Sequence, residues 1–208
     1  MTKYILFFIG CCILFAPLRS QNVEPIKFVH IGLNEGLSQS TIFGITQDKQ
    51  GNMWFATYNG LNKYNGYDFT VYQHDEHNPH SISNDIIRSC TADRLGKIWI
   101  GTDSGLSFYN ADKDRFENFS SEDRGEQVPI NGIVEFNDHE LLLFSNKKKL
   151  LLFNTETSQF SCKMPESSLE SLLPTVVARQ GDYIYIGSNN KVYTYSLAAN
   201  TPSSLVLS

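Results

Sequence analysis

Residues Ser38 to Tyr64 read SQSTIFGITQDKQGNMWFATYNGLNKY, and Ser83 to Tyr109, an offset of 45, read SNDIIRSCTADRLGKIWIGTDSGLSFY. Ten of these 27 aligned positions are identical: Ser38/Ser83, Ile42/Ile87, Thr46/Thr91, Asp48/Asp93, Gly51/Gly96, Trp54/Trp99, Thr57/Thr102, Gly60/Gly105, Leu61/Leu106 and Tyr64/Tyr109. A period of 40 to 50 residues with Gly and Trp at fixed places marks the blade of a β-propeller. Such a unit buries its apolar faces only by stacking on its neighbours.

Each copy reads as four short strands. Ile42 to Gln47 and Ile87 to Ala92 are the inner strands. The turns Asp48-Lys49-Gln50-Gly51 and Asp93-Arg94-Leu95-Gly96 follow, with a carboxylate able to accept backbone N–H bonds and a Gly for positive φ. Met53 to Tyr58 and Ile98 to Thr102 are the second strands. Gly60-Leu61 and Gly105-Leu106 lead into third strands ending at Tyr64 and Tyr109, and Phe69 to Tyr72 and Arg115 to Phe119 are the fourth. Two fainter copies fit the same frame. Ile133 to Asn154 carries second and third strands at Leu141–Ser145 and Leu150–Phe153, and Val176 to Ser196 carries them at Tyr183–Gly187 and Val192–Tyr195.

The expected fold is therefore all-β, a propeller of about four blades of four antiparallel strands, at 38–80, 81–127, 128–173 and 174–208. Ile26 to His30 alternates as a lone strand and is expected to close the ring as another blade's outer strand. Rings have four to eight blades, so four are read as part of a larger ring of the seven-bladed type, with two unpaired blade flanks and poor solubility for the segment alone.

Composition agrees. Phe, Tyr and Trp make up 12% of the 208 residues, which favours pleated strands. Residues 1–20 read as a secretory signal, with Lys3 ahead of an apolar run from Tyr4 to Phe15 that is too short to span a bilayer. The mature part, 21–208, is expected to be exported and periplasmic; a lipoprotein signal acylated at Cys11 is the weaker alternative. A net charge of −5, with Lys147-Lys148-Lys149 as the one cationic run, argues against a nucleic-acid partner. Cys90 and Cys162 lie outside the signal without metal-ligand spacing, and Cys90 reads as a buried free thiol.

The pattern Gly36-Leu37-Ser38, then Asp48-x-x-Gly51-x-x-Trp54-x-x-Thr57-x-x-Gly60-Leu61-x-x-Tyr64, resembles the two-component regulator propeller repeat. The second copy is closer still, with Ser81-Ile82-Ser83-Asn84, Asp93-x-x-Gly96-Lys97-Ile98-Trp99-Ile100-Gly101-Thr102 and Gly105-Leu106. The resemblance covers residues 26 to about 119 strongly and the remainder by frame. It implies the periplasmic sensor region of a Bacteroides-type hybrid sensor, with further blades and sensor domains, a downstream membrane helix and cytoplasmic kinase modules as parts of the same protein. It also implies an oligosaccharide ligand and a homodimer. No residue here matches a kinase, receiver or DNA-binding motif, so no phosphoryl chemistry is carried over.

Several residues invite a functional reading beside a plainer one. Trp54 and Trp99 could stack on sugars, but they occupy equivalent mid-strand places and read as core. Asp48 and Asp93 could be a catalytic pair, but their equivalence puts them on separate turns. The Thr46-x-Asp48-x-x-Gly51-x-x-Trp54 spacing resembles the Asp-box of sialidase-like propellers with one residue inserted, and even a true Asp-box is structural. Quinoprotein dehydrogenases also repeat Gly and Trp, but the cysteine pair and carboxylates beside their cofactor find no counterpart. His74, His77 and His80 sit in a polar, Pro79-containing connector that reads as solvated loop. No catalytic residue, metal or cofactor is expected.

Propellers bind ligands where loops enter the inner strands and where second strands turn into third. Tyr58, Asn59, Asp103, Ser104, Asn189 and Asn190 occupy the second kind of loop, and Asn34, His80 and Gln127 the first. Tyr58 offers a stacking surface and the amides offer bonds to vicinal hydroxyls. The leading expectation is a non-catalytic sensor propeller. The alternatives are an extracellular carbohydrate-active enzyme, which needs two acidic residues converging within ~5 to 10 Å, and a truncated sensor remnant.

Overall fold

The structure is a computed structural model that describes residues 27–120, 122–123, 126–145, 147, 149–161, 174–188, 191–198 and 201–205. The signal segment, Cys11, Cys162, Asn189 and Asn190 lie outside the described residues. The described residues from Ile31 onward form one compact unit. Among the described residues no helix is long and apolar enough to cross a membrane.

Four antiparallel four-stranded sheets follow one another in chain order. Blade 1 holds β1 (Ile42–Gln47), β2 (Met53–Thr57), β3 (Gly60–Tyr64) and β4 (Phe69–Tyr72), and blade 2 holds β5 (Ile87–Ala92), β6 (Ile98–Thr102), β7 (Gly105–Asn110) and β8 (Arg115–Phe119). A short hairpin, β9 (Glu122–Asp123) and β10 (Glu126–Gln127), precedes blade 3. Blade 3 holds β11 (Gly132–Glu135), β12 (Glu140–Ser145), β13 (Lys149–Asn154) and β14 (Gln159–Ser161). Blade 4 holds β15 (Pro174–Gln180), β16 (Tyr183–Ser188), β17 (Lys191–Ser196) and β18 (Thr201–Leu205). The expected strand over Ile26–His30 is not seen, since Lys27 to His30 carry no strand. Each described blade fills the edge beside its third strand with its own fourth strand, so the expected ring-closing role of this segment concerns a further blade.

Strand alternation makes each second strand two-faced. Trp54 and Ala56 of β2 face blade 2, where Cys90, Ile98, Ile100, Tyr109 and Phe116 receive them. Trp99 faces blade 3 and meets Ile133, Leu141, Leu143, Leu151 and Phe153. Leu142 and Phe144 face blade 4 and meet Ile184, Ile186 and Tyr195. Each blade thus presents a forward row to its successor and a rear row to its predecessor. The rear row of blade 1 is uncovered: Ile45, at the place of Cys90, is 56% exposed against 9%. Ile42 is 38% exposed, while its repeat-mate Ile87 is fully buried.

The repeated polar residues hold each blade together. The Asp48 carboxylate accepts the N–H groups of Gln50 at 3.0 Å and Asn52 at 2.9 Å, and its second oxygen accepts the Trp54 indole N–H at 2.9 Å. Asp93 repeats this with Lys97 N–H at 2.8 Å and the Trp99 indole at 3.0 Å. Gly51 and Gly96 close these turns at φ 89° and 78°. Burial opposes charge on Asp48, but bonds from Asn52, Trp54 and Gln50 outweigh it and hold the carboxyl below its ordinary range. At the other end of β2, the Thr57 hydroxyl donates to the Gly60 carbonyl at 2.8 Å and accepts Asn59 N–H at 3.1 Å. Thr102, Ser145 and Ser188 end β6, β12 and β16, so all four blades bury a hydroxyl at this place. The Ser38 and Ser83 hydroxyls lie 3.1 and 2.8 Å from those of Thr57 and Thr102, tying the incoming loop to the turn between second and third strands.

Two further groups lie between blades 1 and 2. Tyr72 and Tyr109 both donate to Asp114, at 2.9 and 2.6 Å. Burial, then the neighbouring Asp114, pushes the Tyr109 hydroxyl up to about 12. Bonds from Tyr109 and Tyr72 hold the Asp114 carboxyl below its ordinary value. Cys90 is buried and unpaired, as its apolar strand implied, and burial pushes its thiol up to about 12.

Candidate functional site

The inner strands begin at the same end of the blades as the turns between second and third strands. At this loop face β1, β5 and β15 each shift register, between Ile42 and Gly44, Ile87 and Ser89, and Pro174 and Val176. The residue skipped at each shift is Phe43, Arg88 or Thr175. A bulged residue is released from the ladder and its side chain is re-aimed.

Arg88 is the centre of the site. Its Nε donates to Asp103 Oδ1 at 2.6 Å and its Nη2 to Asp103 Oδ2 at 3.0 Å, a two-pronged pair half-sheltered from solvent. The hydrogen bonds to Asp103 raise the Arg88 pKa against the opposing effect of burial. The remaining nitrogen, Nη1, points at the Tyr58 hydroxyl at 3.5 Å, and the guanidinium lies 5.4 Å from the Tyr58 ring centre. Phe43 meets the same ring edge-on, centroids 4.4 Å apart. Two blades therefore supply one constellation, Phe43 and Tyr58 from blade 1, Arg88 and Asp103 from blade 2.

The expected site residues divide accordingly. Tyr58 and Asp103 are brought together through Arg88. Asn59 and Ser104 are held by neighbouring loops: Asn59 donates to the Ser38 carbonyl at 3.4 Å and accepts from Gln73 at 2.9 Å, and Ser104 accepts from Asn84 at 3.0 Å. Arg88 was not among the sequence candidates. The one signal for it was an arginine in an apolar inner strand at the place that Phe43 holds in the first copy.

Elsewhere the side chains are structurally occupied. The His80 carbonyl accepts Phe116 N–H of outer strand β8 at 2.9 Å, so His80 lies in the loop that enters β5, as expected, but in its outer part, beside the outer edge of blade 2. The His74 ring lies 2.8 Å from the Ile82 carbonyl, while exposed His77 sits 3.6 Å from Asp75, so the three histidines turn to different partners. At the opposite end a cleft of ≈ 440 Å³ runs between the turns of blades 2 and 3, beside Arg94, Glu135, Asp138 and His139. Arg94 pairs there with Glu135 at 3.2 Å and with Asp138. Asp48 and Asp93 lie at this turn end, each bound to its own indole.

The fold and the repeated Asp-to-Trp bond define a β-propeller segment. Residues 36–59 match the model of the two component regulator propeller. A 66-residue stretch is 39% identical to histidine kinase P4 of Formosa agariphila, covering 32% of this chain and 5% of that protein. Among solved structures, an extracellular domain assigned to a hybrid two component system of B. thetaiotaomicron superposes with a TM-score of 0.68 at 24% identity, over 86% of this chain and 26% of that one. A second such domain from the same organism gives 0.61 at 16% identity, over 79% and 25%. These two likenesses bear on the fold. The chain spans about a quarter of the solved chains and a twentieth of the curated relative.

Proposed function

We propose that this chain is part of the extracellular ligand-sensing propeller of a hybrid two-component sensor, that its ligand is a carbohydrate, and that it recognises without catalysing. The exposed, braced Tyr58 ring beside the Arg88–Asp103 pair carries this reading. An aromatic face suits the C–H face of a sugar, and a fixed donor–acceptor pair suits its hydroxyls. The propeller repeat and the likeness to extracellular domains assigned to two component systems support the sensor context. In this reading the chain is exported, and the uncovered rear row of blade 1 receives a further blade of the same protein.

A glycosidase needs a converging carboxylate pair. Here Asp48 and Asp93 are each tied to a tryptophan at the turn end, and Asp103 is tied to Arg88. The test is a calorimetric binding screen of residues 21–208 against plant and host oligosaccharides, with chromatography of the incubated sugars. Binding without cleavage supports the proposal. Cleavage products, or no binding across the panel, overturn it.

A further inference from the structure

We propose that Phe43, Tyr58, Arg88 and Asp103 form a subsite for an uncharged sugar ring bearing two neighbouring hydroxyls, and that it discriminates against uronate and sulfated glycans. The inference rests on the carbohydrate reading above and names the ligand class.

The platform is set before any ligand arrives. Tyr58 is 43% exposed, yet Phe43 packs on its ring at an interplanar angle of 79° and the Arg88 guanidinium lies over one face from the next blade, leaving the other face for a ligand. A ring held in this way loses little further freedom on stacking. Its phenolic oxygen and Arg88 Nη1 are 3.5 Å apart, at the long limit of a hydrogen bond, so a ligand oxygen competes for that N–H at small cost.

Beside the platform, the pair sets a guanidinium donor next to a carboxylate acceptor in one fork. A sugar hydroxyl both donates and accepts, so two on adjacent carbons can give one hydrogen to Asp103 and take one from Arg88. An amide could offer a similar alternation, but it would lack the rigidity of the two bonds at 2.6 and 3.0 Å.

Charge decides the class. Asp103 already neutralises Arg88. A ligand carboxylate or sulfate reaching Arg88 would lie beside the Asp103 carboxylate and be repelled by it, or would have to displace it. Bare Arg or Lys clusters are what recognise anionic groups, and this constellation carries its own counter-ion.

The experiment is calorimetry of residues 21–208 against matched oligosaccharide pairs: hexagalacturonate with its carboxyl-reduced form, and heparan fragments with their desulfated, carboxyl-reduced forms, beside neutral xylan, glucan and galactan hexasaccharides. The expected result is binding of one or more neutral sugars at least tenfold tighter than any acidic member. Tyr58→Ala and Arg88→Ala are expected to weaken it tenfold or more at an unchanged melting temperature. Should Arg88→Ala lower the melting temperature, the exposed Tyr58 site carries the test alone. Asp103→Asn removes the counter-ion and is expected to narrow the preference for neutral members. Tighter binding of the acidic member, or neutral binding indifferent to Tyr58→Ala, overturns the inference and leaves the sensor reading standing. Absence of binding by every sugar overturns the carbohydrate reading on which the inference rests.

Discussion

The Trp54 indole N–H donates to the Asp48 carboxylate at 2.9 Å, and Trp99 makes the same bond to Asp93 at 3.0 Å. Six residues apart in sequence, carboxylate and indole meet because the chain reverses between them at Gly51 or Gly96. The bond fastens a turn to the largest side chain of the blade-to-blade core.

Removing the acceptor leaves a buried indole donor without a partner. Asp48→Ala is expected to destabilise the chain by about 1–3 kcal/mol. Asp93→Ala is expected to cost less, because the Trp99 bond is partly open to water. Urea titration followed by tryptophan fluorescence measures both, and equal or negligible losses would count against the clamp.

The same carboxylates set a pH dependence. Asp48 and Asp114 have folded pKa values below their ordinary 3.8, so their stabilisation is present above that value and is lost as pH falls through the lowered ones. Urea midpoints should therefore be level near neutrality and decline from about pH 4 downward. Asp48→Ala and Asp114→Ala should each flatten the decline. An unaltered acid limb in both would remove the basis for this prediction.

One residue type at one repeat position separates covered from uncovered blade faces. Ile87→Ala, in the seam between blades 1 and 2, is expected to cost about 2–5 kcal/mol. Ile42→Ala, on the rear row of blade 1, should cost under about 1 kcal/mol in residues 21–208. Similar losses would mean that the rear row is covered in solution.

Cys90 supplies a chemical probe of the same seam. In a Cys162→Ser background, its buried thiol should react with a disulfide reagent only as fast as the chain opens. Fast reaction in native buffer would show that blades 1 and 2 part readily.

Much of the fold was legible because the repeat punctuates itself. The predicted ends of β1, β4, β5, β6 and β8 coincide with those observed; Asp-x-x-Gly stops β1 and β5, and Gly-Leu follows the end of β6. Blades 3 and 4 lack the Trp and the Asp turn, and their strands run a residue or so beyond the predicted ends. The hairpin at Glu122–Gln127 went unseen because two-residue strands leave no periodicity. For the site, the loops were legible and their central residue was not. Arg88 matters through a bulge and through Tyr58, 30 residues away in the chain, and neither relation is written in local pattern.

The forward and rear rows have a consequence for how such proteins grow. Because each seam uses the same two rows, a duplicated blade arrives already compatible with both neighbours, and a lost one leaves ends that still match. Nothing in a single seam counts the blades. Ring size is then a property of accumulated curvature, free to drift by whole units, while the chemistry that meets the ligand changes separately, one bulged residue and one turn at a time.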